Sequence, residues 1–297
     1  MKDLLTAHCA SLGIDQVGIA PPGPYPELGL QLERRLERGH TIEFDERETE
    51  KRITPQFLMA DAKAVIVCLF PYYTPTAARA NLSKYTYALD YHHTIKRKLD
   101  AIGCYLQSQN PHFEWQSYCD TGPLVDRHLA WLAGLGFYGV NSCLINDKYG
   151  SWFFIGYLIT NYPLPIDLPL KKTCLHCGGC QAACPGGIIL GDASIDPRYC
   201  KSYLTQKKGL LTPAEISILK KTNLIFGCDV CQDVCPHNQH VPVTPLPEFR
   251  ENLLCRLEPE ELPSLSNKEF RQRYGNRAFS WRGKQILQRN AEYIQED

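Results

Sequence analysis

The sequence predicts an α+β fold in which an α/β-type sandwich is followed by an inserted cysteine-rich domain and a helical C-terminal tail. Apolar runs of strand length alternate with segments of helical periodicity over residues 1–165. Eight of the 14 cysteines lie between positions 174 and 235. From position 247 onward, helical patterns are joined by polar loops. The predicted domains are residues 1–165, 166–245 and 246–297.

Composition excludes several classes of protein. The 297 residues are 44% hydrophobic, and 32 basic residues balance 32 acidic ones, so no overall charge marks a nucleic-acid coat. No apolar run approaches the roughly 18 residues of a membrane span. Asp3 is acidic where a secretory signal peptide has basic and apolar residues. We therefore expect a cytoplasmic protein without membrane contact. In that reducing compartment, crowded thiols indicate metal ligands rather than disulfides.

The elements of the N-terminal domain follow in chain order. Helical spacing predicts a helix over residues 2–12, and a short strand over 15–20 is stopped by a Pro- and Gly-rich run. Residues 64–70 form a continuous apolar run, which is typical of a buried strand. The remaining predictions are helices at 95–106 and 123–135, a strand at 113–118, and a strand–turn–strand unit made of 143–145 and 152–160. In the tail we predict a helix over 268–274.

The cysteine spacing carries the strongest chemical signal. The first run is C-x2-C-x2-C-x3-C followed by Pro185, and the second is C-x2-C-x3-C followed by Pro236. The first run matches the bacterial ferredoxin signature for 4Fe–4S clusters, in which the fourth cysteine, on a helix that the proline opens, ligates the other cluster. Structural zinc, which takes four ligands in two separated pairs, is the competing interpretation.

Eight cysteines divide into two sets of four, so we predict a ferredoxin-like domain with two 4Fe–4S clusters. Because the second run lacks one ligand, Cys200 is the expected replacement. The crossed arrangement gives one cluster Cys174, Cys177, Cys180 and Cys235. It gives the other cluster Cys184, Cys200, Cys228 and Cys231.

Clusters transfer single electrons, so the large domain suggests a second, catalytic cofactor. No G-x-G-x-x-G opens a helix after a strand, which disfavours a Rossmann nucleotide site. The glycines at 134, 136 and 139 either allow a bulky ligand to approach the backbone or simply turn the chain. Asp120 either caps a helix or acts as a general acid whose pKa an apolar site raises.

Several blocks together resemble one family, the epoxyqueuosine reductases, which are cobalamin-dependent enzymes of queuosine biosynthesis. The blocks are residues 84–92, 120–127, 133–137 and 150–153, the whole cysteine region with Cys200, and residues 289–291. The resemblance covers nearly the full chain. It implies a monomeric oxidoreductase that removes the epoxide oxygen of epoxyqueuosine at the tRNA wobble position. Electrons would come from an external donor such as ferredoxin or flavodoxin.

The resemblance also implies site residues. Cobalamin, cob(II)alamin at rest and cob(I)alamin when active, would lie between the N-terminal domain and the clusters. Asp120 would be the proton donor. The implied cobalamin contacts are Arg52, Tyr85, Asp120, Gly136, Gly139, Val140, Asn141, Ser142, Asp229 and Val230.

Two departures from the family pattern stand out. Val140 occupies the position where the family usually has lysine, so a charge is missing from that turn. Many members continue through further helical repeats, so residues up to 297 would form only the start of a HEAT-like RNA-binding region. A cobalamin-dependent reductive dehalogenase and a non-catalytic two-cluster electron-transfer protein remain as alternatives.

The tail supplies an independent reason to expect RNA. Residues 268–289 contain seven basic residues, one acidic residue and interleaved aromatic residues. Arginines bind phosphates and aromatic rings stack on unpaired bases, so the segment suits an anticodon stem-loop. The alternative is that the aromatic residues are buried and leave only a solvated basic face. The predicted RNA contacts are Lys208, Arg271, Arg273, Arg277 and Arg282.

Overall fold

The computed structural model describes residues 1–75 and 79–295. The N-terminal region contains α1 (Lys2–Ser11), β1 (Val17–Ala20), α2 (Pro26–Glu37), α3 (Thr49–Ile53), β2 (Ala64–Pro71), α4 (Tyr91–Gln109), β3 (Trp115–Cys119), α5 (Asp126–Leu132), β4 (Phe137–Tyr138), β5 (Leu144–Ile145) and β6 (Phe153–Thr160). The rest contains α6 (Gly179–Ala183), α7 (Lys201–Leu204), α8 (Pro213–Lys220), α9 (Val230–Asp233), α10 (Asn267–Tyr274) and α11 (Lys284–Gln295). Within these ranges, no helix is long and apolar enough to cross a membrane.

A four-stranded sheet, in the order β1-β2-β6-β3, forms the centre of the sandwich. Alternate residues of β2 enter two different cores: Ile66 and Phe70 face α1 and α4, whereas Val65 and Val67 face α2 and α5. Because both faces of β2 are covered, all eight of its residues are buried, which explains the continuous apolar run. The predicted layering of helices and strands is confirmed.

The sheet differs from an α/β layer in the direction of its strands. Each pairing among its strands is antiparallel, although helices alternate with strands along the chain. Both strands of the predicted strand–turn–strand unit are present, but they do not pair with each other: β5 pairs with β4 in a separate hairpin, and β6 pairs with β2 and β3. Short apolar runs show where strands lie but not which strands pair, so this pairing was not readable from the pattern.

The observed bounds of some helices differ from the predicted ones, because helix caps and loops set where a helix begins. Helix α4 begins at Tyr91 because the Asp90 side chain accepts a hydrogen bond from the His92 backbone N–H. Helix α5 begins only at Asp126, so residues 123–125 belong to a loop. Helix α2 was not predicted, although Pro26 at its first position is a helix-start signal.

The cysteine region is built from short helices and turns. Pro185 opens a turn, so the prediction that Cys184 begins a helix there is wrong. Pro236 opens only a single 3-10 turn, Pro236–Asn238. Regular secondary structure therefore stabilises this region little, and its fold depends on packing and on any group that it binds.

The tail packs back on the rest of the chain. Leu246 and Phe249 enter the core on the α1–α4 side of the sheet, and Phe270 and Phe279 pack with Phe226 of the cysteine region. The Asn290 amide donates to the carbonyls of residues 205 and 225 at 2.8 and 2.9 Å. These contacts join the tail to both preceding regions.

Candidate functional site

A deep cleft of about 1090 Å³ opens beside the sheet. The loop before α3, the start of α4, the loop between β3 and α5, and the first residues of β6 form its walls. A neighbouring cavity of about 660 Å³ shares Arg52, Val125 and Arg127 with it and reaches Ser142 and Cys174. The two cavities together lead from Asp120 to the edge of the cysteine region.

Asp120 stands on the wall of this cleft, in the loop that follows β3. Its backbone has a φ of +60°, which is unusual for a residue with a side chain. Its backbone N–H donates to Asp126 Oδ2 at 3.0 Å, and its Oδ2 accepts from the Tyr91 hydroxyl at 2.5 Å. His92 Nε2 lies 3.5 Å from the same oxygen. Asp120 is therefore not the cap of α5, since no side-chain hydrogen bond caps that helix.

The electrostatics of Asp120 contradict the expectation of a raised pKa. Desolvation raises the pKa of this carboxyl, but hydrogen bonds from His92 and Tyr91 outweigh desolvation and hold the pKa below its usual range. The side chain is 65% exposed, and the exposed part faces the cleft. Asp120 is consequently a carboxylate at neutral pH when the cleft contains only water.

Protons are held on the neighbours of Asp120. Desolvation opposes the charge of His92, yet hydrogen bonds to Asp120 and Asp90 raise its pKa to about 9. Desolvation and the nearby charge of Asp120 raise the pKa of Asp126 to about 7. The loop at the end of β3 thus brings together one carboxylate, one imidazolium and one carboxyl group that titrates near neutrality.

Two predicted cofactor residues have surroundings that suit a bound group. Arg52 lines both cavities, and its Nε has no hydrogen-bond partner among the described residues. An unpaired buried donor of this kind is costly unless a ligand satisfies it. Tyr85 is partly buried, and desolvation together with the charges of Asp120, Asp229 and Cys200 raises the pKa of its phenol. Its position is therefore between the cleft and the cysteine region.

The glycine-rich turn, which was expected to contact a cofactor, does not line the cleft around Asp120. Gly139 lies in the turn between β4 and β5, and Gly136 comes directly before β4, where an added Cβ would lie 2.6 Å from the carbonyl oxygen of residue 145. Val140 packs against Cys180, and the Asn141 amide is 3.4 Å from the carbonyl of Cys231. Ser142 is the residue of this turn that borders the second cavity. Its backbone carbonyl accepts a hydrogen bond from the Arg127 guanidinium there. The turn faces mainly the cysteine region.

Asp229 and Val230 lie beside the loop that carries Tyr85. The buried Asp229 carboxylate accepts from the Lys84 backbone N–H at 2.8 Å and from the Ser83 hydroxyl. Val230 begins α9 directly after it. Asp229 therefore attaches the cysteine region to the N-terminal domain.

The eight cysteines form two neighbouring sets. Cys174, Cys177, Cys180 and Cys235 border one small cavity together. Cys184 and Cys231 raise the pKa of Cys200, and Cys200 and Cys231 raise that of Cys228. Cys231 also raises the pKa of Cys180 in the first set. The crossed assignment of these cysteines to two clusters stays a prediction. In the part of the chain that is described, no three His, Cys, Asp or Glu side chains meet closely enough to hold a single metal ion.

Sequence reasoning missed three contributors. Cys143 lies outside the cysteine region, but its thiol hydrogen-bonds with that of Cys231. His92 and Asp126 lie within blocks 84–92 and 120–127, which carry the family resemblance but assigned no role to either residue. The titratable residues at 90, 92 and 93 are the signal in the sequence that could have pointed to His92.

The predicted RNA residues do not form one free basic surface. Arg273 pairs with Glu261, Arg282 pairs with Glu43, and Arg277 donates to the carbonyl of residue 87. Phe270 and Tyr274 are buried, as the alternative interpretation expected. Three of the predicted residues are exposed: Lys208, Arg271 and Arg273.

One part of the tail does reach the cleft. The Arg282 guanidinium stacks on the ring of Trp281 at 4.0 Å and on that of Phe44 at 4.7 Å. Phe44 lines the cleft, and Trp281 is 54% exposed. Trp281 and Phe44 therefore offer aromatic surface at the cleft rim.

Two family models match this chain. Residues 52–121 match "Epoxyqueuosine reductase QueG, DUF1730", and residues 173–238 match a 4Fe-4S double cluster binding domain. The comparisons and the fold therefore define an oxidoreductase that has a 4Fe-4S double cluster binding domain and a large cleft. The curated epoxyqueuosine reductase of Lactococcus garvieae (strain Lg2) is 35% identical over 99% of this chain and 86% of its own length. The chain belongs to the epoxyqueuosine reductase family.

Solved structures agree with this assignment. An epoxyqueuosine reductase crystallised with an epoxyqueuosine-modified tRNA stem loop is 31% identical, with a TM-score of 0.92, and the match covers 99% of this chain and 80% of that chain. The Bacillus subtilis enzyme, solved with its catalytic aspartate loop swung out of the active site, is 30% identical with a TM-score of 0.87 and the same coverage. A catabolic reductive dehalogenase, 15% identical with a TM-score of 0.51 over 98% of this chain and 35% of its own, shares the fold alone.

Proposed function

We propose that this protein reduces epoxyqueuosine to queuosine at the wobble position of tRNA. The observation that carries the proposal is the cleft at Asp120, which shares part of its wall with a second cavity at the edge of the cysteine region, in a member of this family. The substrate would be an anticodon stem-loop, since a relative of similar fold has been crystallised with one. A tRNA substrate would place the reaction in the cytoplasm. Residues 1–165 would form the catalytic domain, 166–245 the electron-transfer domain and 246–297 part of the RNA-binding surface.

Electrons would enter through two 4Fe–4S clusters. The first would be held by the set that contains Cys174 and Cys235, and the second by the set that contains Cys184 and Cys200. The crossed ligation is supported by the grouping of the thiols and by the match to a double-cluster domain. A small external donor such as ferredoxin or flavodoxin would supply the electrons to a monomeric enzyme.

The cofactor that we propose for the cleft is cobalamin. The cleft, about 1090 Å³, is slightly larger than the roughly 300–1,000 Å³ typical of pockets for drug-sized ligands, and the second cavity shares part of its wall. Arg52, with its unpartnered Nε, and Ser142 would contact the cofactor from the two cavities, and Tyr85 from the cluster side. When bound, cobalamin supplies a strongly reducing, nucleophilic metal centre.

Asp120 would deliver a proton to the departing epoxide oxygen. Its side chain faces the cleft, and Tyr91 and His92 fix the position of its Oδ2. The loop that carries it is held to α5 by the hydrogen bond from Asp120 N–H to Asp126.

The test is conversion of a defined RNA. Anaerobically reconstituted protein, loaded with cobalamin and given a chemical reductant, is incubated with an anticodon stem-loop that carries epoxyqueuosine. Mass spectrometry of the nucleosides should show the loss of one oxygen atom. No conversion by protein with full iron and corrinoid content would contradict the proposal, and reduction of a halogenated phenol instead would favour the dehalogenase alternative.

A further inference from the structure

The proton that Asp120 must deliver is not on Asp120 in the open cleft. The hydrogen bonds to its Oδ2 favour the carboxylate. A general acid has to be protonated when the oxygen leaves. If the proposed function is correct, the site therefore requires a neighbour that supplies this proton.

His92 has the geometry for that task. Its Nδ1 lies 2.7 Å from Asp90 Oδ1, and its Nε2 lies 3.5 Å from Asp120 Oδ2. The His92 ring stacks on the Tyr91 ring with centroids 4.1 Å apart, and the Tyr91 ring stacks in turn on Phe154 at 4.0 Å. Asp90 also accepts from the His92 backbone N–H, so both ends of the residue are fixed. The imidazole is therefore oriented with Nε2 toward Asp120.

The charged groups around His92 favour its cationic form. Asp90 and Asp120 face it with opposite charge, whereas its place in the first turn of α4 disfavours a cation. Arg127 and Asp126 act on Asp120 from α5, and His93 acts on Asp90 from α4. The two carboxylates prevail, so the ring keeps its proton at neutral pH.

We propose that His92 is the proton reserve of the site, passing the proton on its Nε2 to Asp120 when substrate fills the cleft. The N–H bond at Nε2 breaks and an O–H bond forms at Asp120 Oδ2, after which that proton moves to the epoxide oxygen. The ring stays neutral with Nδ1–H donating to Asp90. His92 acts through Asp120 and does not touch the substrate.

Expulsion of water explains why the transfer would occur only at that moment. A carboxylate–imidazolium pair is stabilised by water, and burial disfavours it relative to the neutral pair. Deoxygenation of an epoxide to an alkene consumes two electrons and two protons and releases water. The external donor supplies the electrons through the clusters, His92 supplies one proton, and solvent supplies the second and recharges the imidazole.

The first measurement needs no turnover. In holoprotein labelled with ¹⁵N-histidine, the His92 signals, assigned by their loss in His92→Gln, should titrate at about 9. In Asp90→Asn the titration should move to lower pH, because one carboxylate is removed. Titration near the ordinary value of about 6.5 would overturn the proposal. This result is independent of whether the RNA substrate is correct.

The second measurement is the rate of conversion. His92→Gln should lower kcat about 10- to 100-fold, less than the ~10²–10⁴-fold typical of losing the acid itself, with an unchanged KM for RNA. His93→Gln is the matched control, since that side chain is exposed and makes neither contact. Added imidazole should restore part of the rate of His92→Ala, which a purely structural role would not allow.

Two outcomes of this measurement contradict the proposal. One is a His92→Gln variant that has full iron content and the kcat and pH profile of the unmodified protein. The other is a loss of rate in His92→Ala that imidazole does not relieve, when His92→Gln shows the same loss. If neither the unmodified protein nor any variant converts the RNA while the imidazole titrates at about 9, the proposed substrate fails and the proton reserve stands.

Discussion

At the scale of single residues, Asp120 is the side chain on which the proposed chemistry depends. Its carboxylate faces the cleft and has a fixed Oδ2. Asp120→Asn keeps the shape and removes the transferable proton. We expect turnover of the stem-loop to fall by about 10²- to 10⁴-fold. Iron content and corrinoid absorption should be unchanged, and near-normal turnover would remove Asp120 from the mechanism.

The raised pKa of His92 also predicts that the stability of the protein depends on pH. Its folded pKa, about 9, exceeds the unfolded value of about 6.5. The stabilisation is therefore complete below about pH 6.5 and is lost as pH rises through about 9. Urea unfolding at fixed pH values should show this loss in the unmodified protein and a flatter profile in His92→Gln. Parallel profiles for the two proteins would show that His92 does not gain a proton on folding.

At the scale of elements, the helices of the cysteine region are too short to stabilise its fold by themselves, so we expect bound clusters to contribute. Two clusters require about eight irons and eight sulfides per chain. Cys200→Ala should reduce both counts toward four, because Cys200 is the neighbour shared by the second group of thiols. Cys104→Ala is a suitable control, since that cysteine is exposed on α4. An iron content near four that Cys200→Ala does not change would contradict the two-cluster assignment.

The loop between β3 and α5 illustrates how an element positions a functional group. Asp120 has a strained backbone, and the hydrogen bond from its N–H to Asp126 holds it in place. The contacts of Asp120 Oδ2 with Tyr91 and His92 attach the same loop to the start of α4. The loop is therefore held from both α4 and α5, and these contacts fix the direction in which the carboxylate faces.

At the scale of the whole molecule, the distribution of charge limits where RNA can bind. Arg273 and Arg282 form ion pairs with acidic residues, and the exposed Lys208 and Arg271 remain as predicted phosphate contacts. Binding of an anticodon stem-loop should weaken with salt, with a slope of log affinity of about −0.7 per phosphate contact. The double reversal Lys208→Glu with Arg271→Glu should flatten this slope.

Arg256→Glu serves as the control for that measurement, because Arg256 already pairs with Glu258 and lies outside the predicted RNA set. Both proteins should keep their iron. Equal slopes for the double variant and the unmodified protein would show that the tail and the loop after α7 do not contact phosphates.

The sequence by itself determined the features that depend on spacing along the chain. The gaps between cysteines predicted two sets of four, and the apolar run at 64–70 predicted the buried strand β2. The family followed from short blocks that include residues 120–127. These features are local, since a turn or a strand is specified by neighbours a few residues apart.

Only the tertiary structure decided which distant groups meet. It brought His92 beside Asp120, which reversed the expected direction of the Asp120 pKa, and it brought Cys143 to Cys231. It also paired Arg282 with Glu43, which removed a charge from the predicted RNA surface. Electrostatic effects depend on distance in space and on burial, and a sequence pattern records neither for residues that are far apart along the chain.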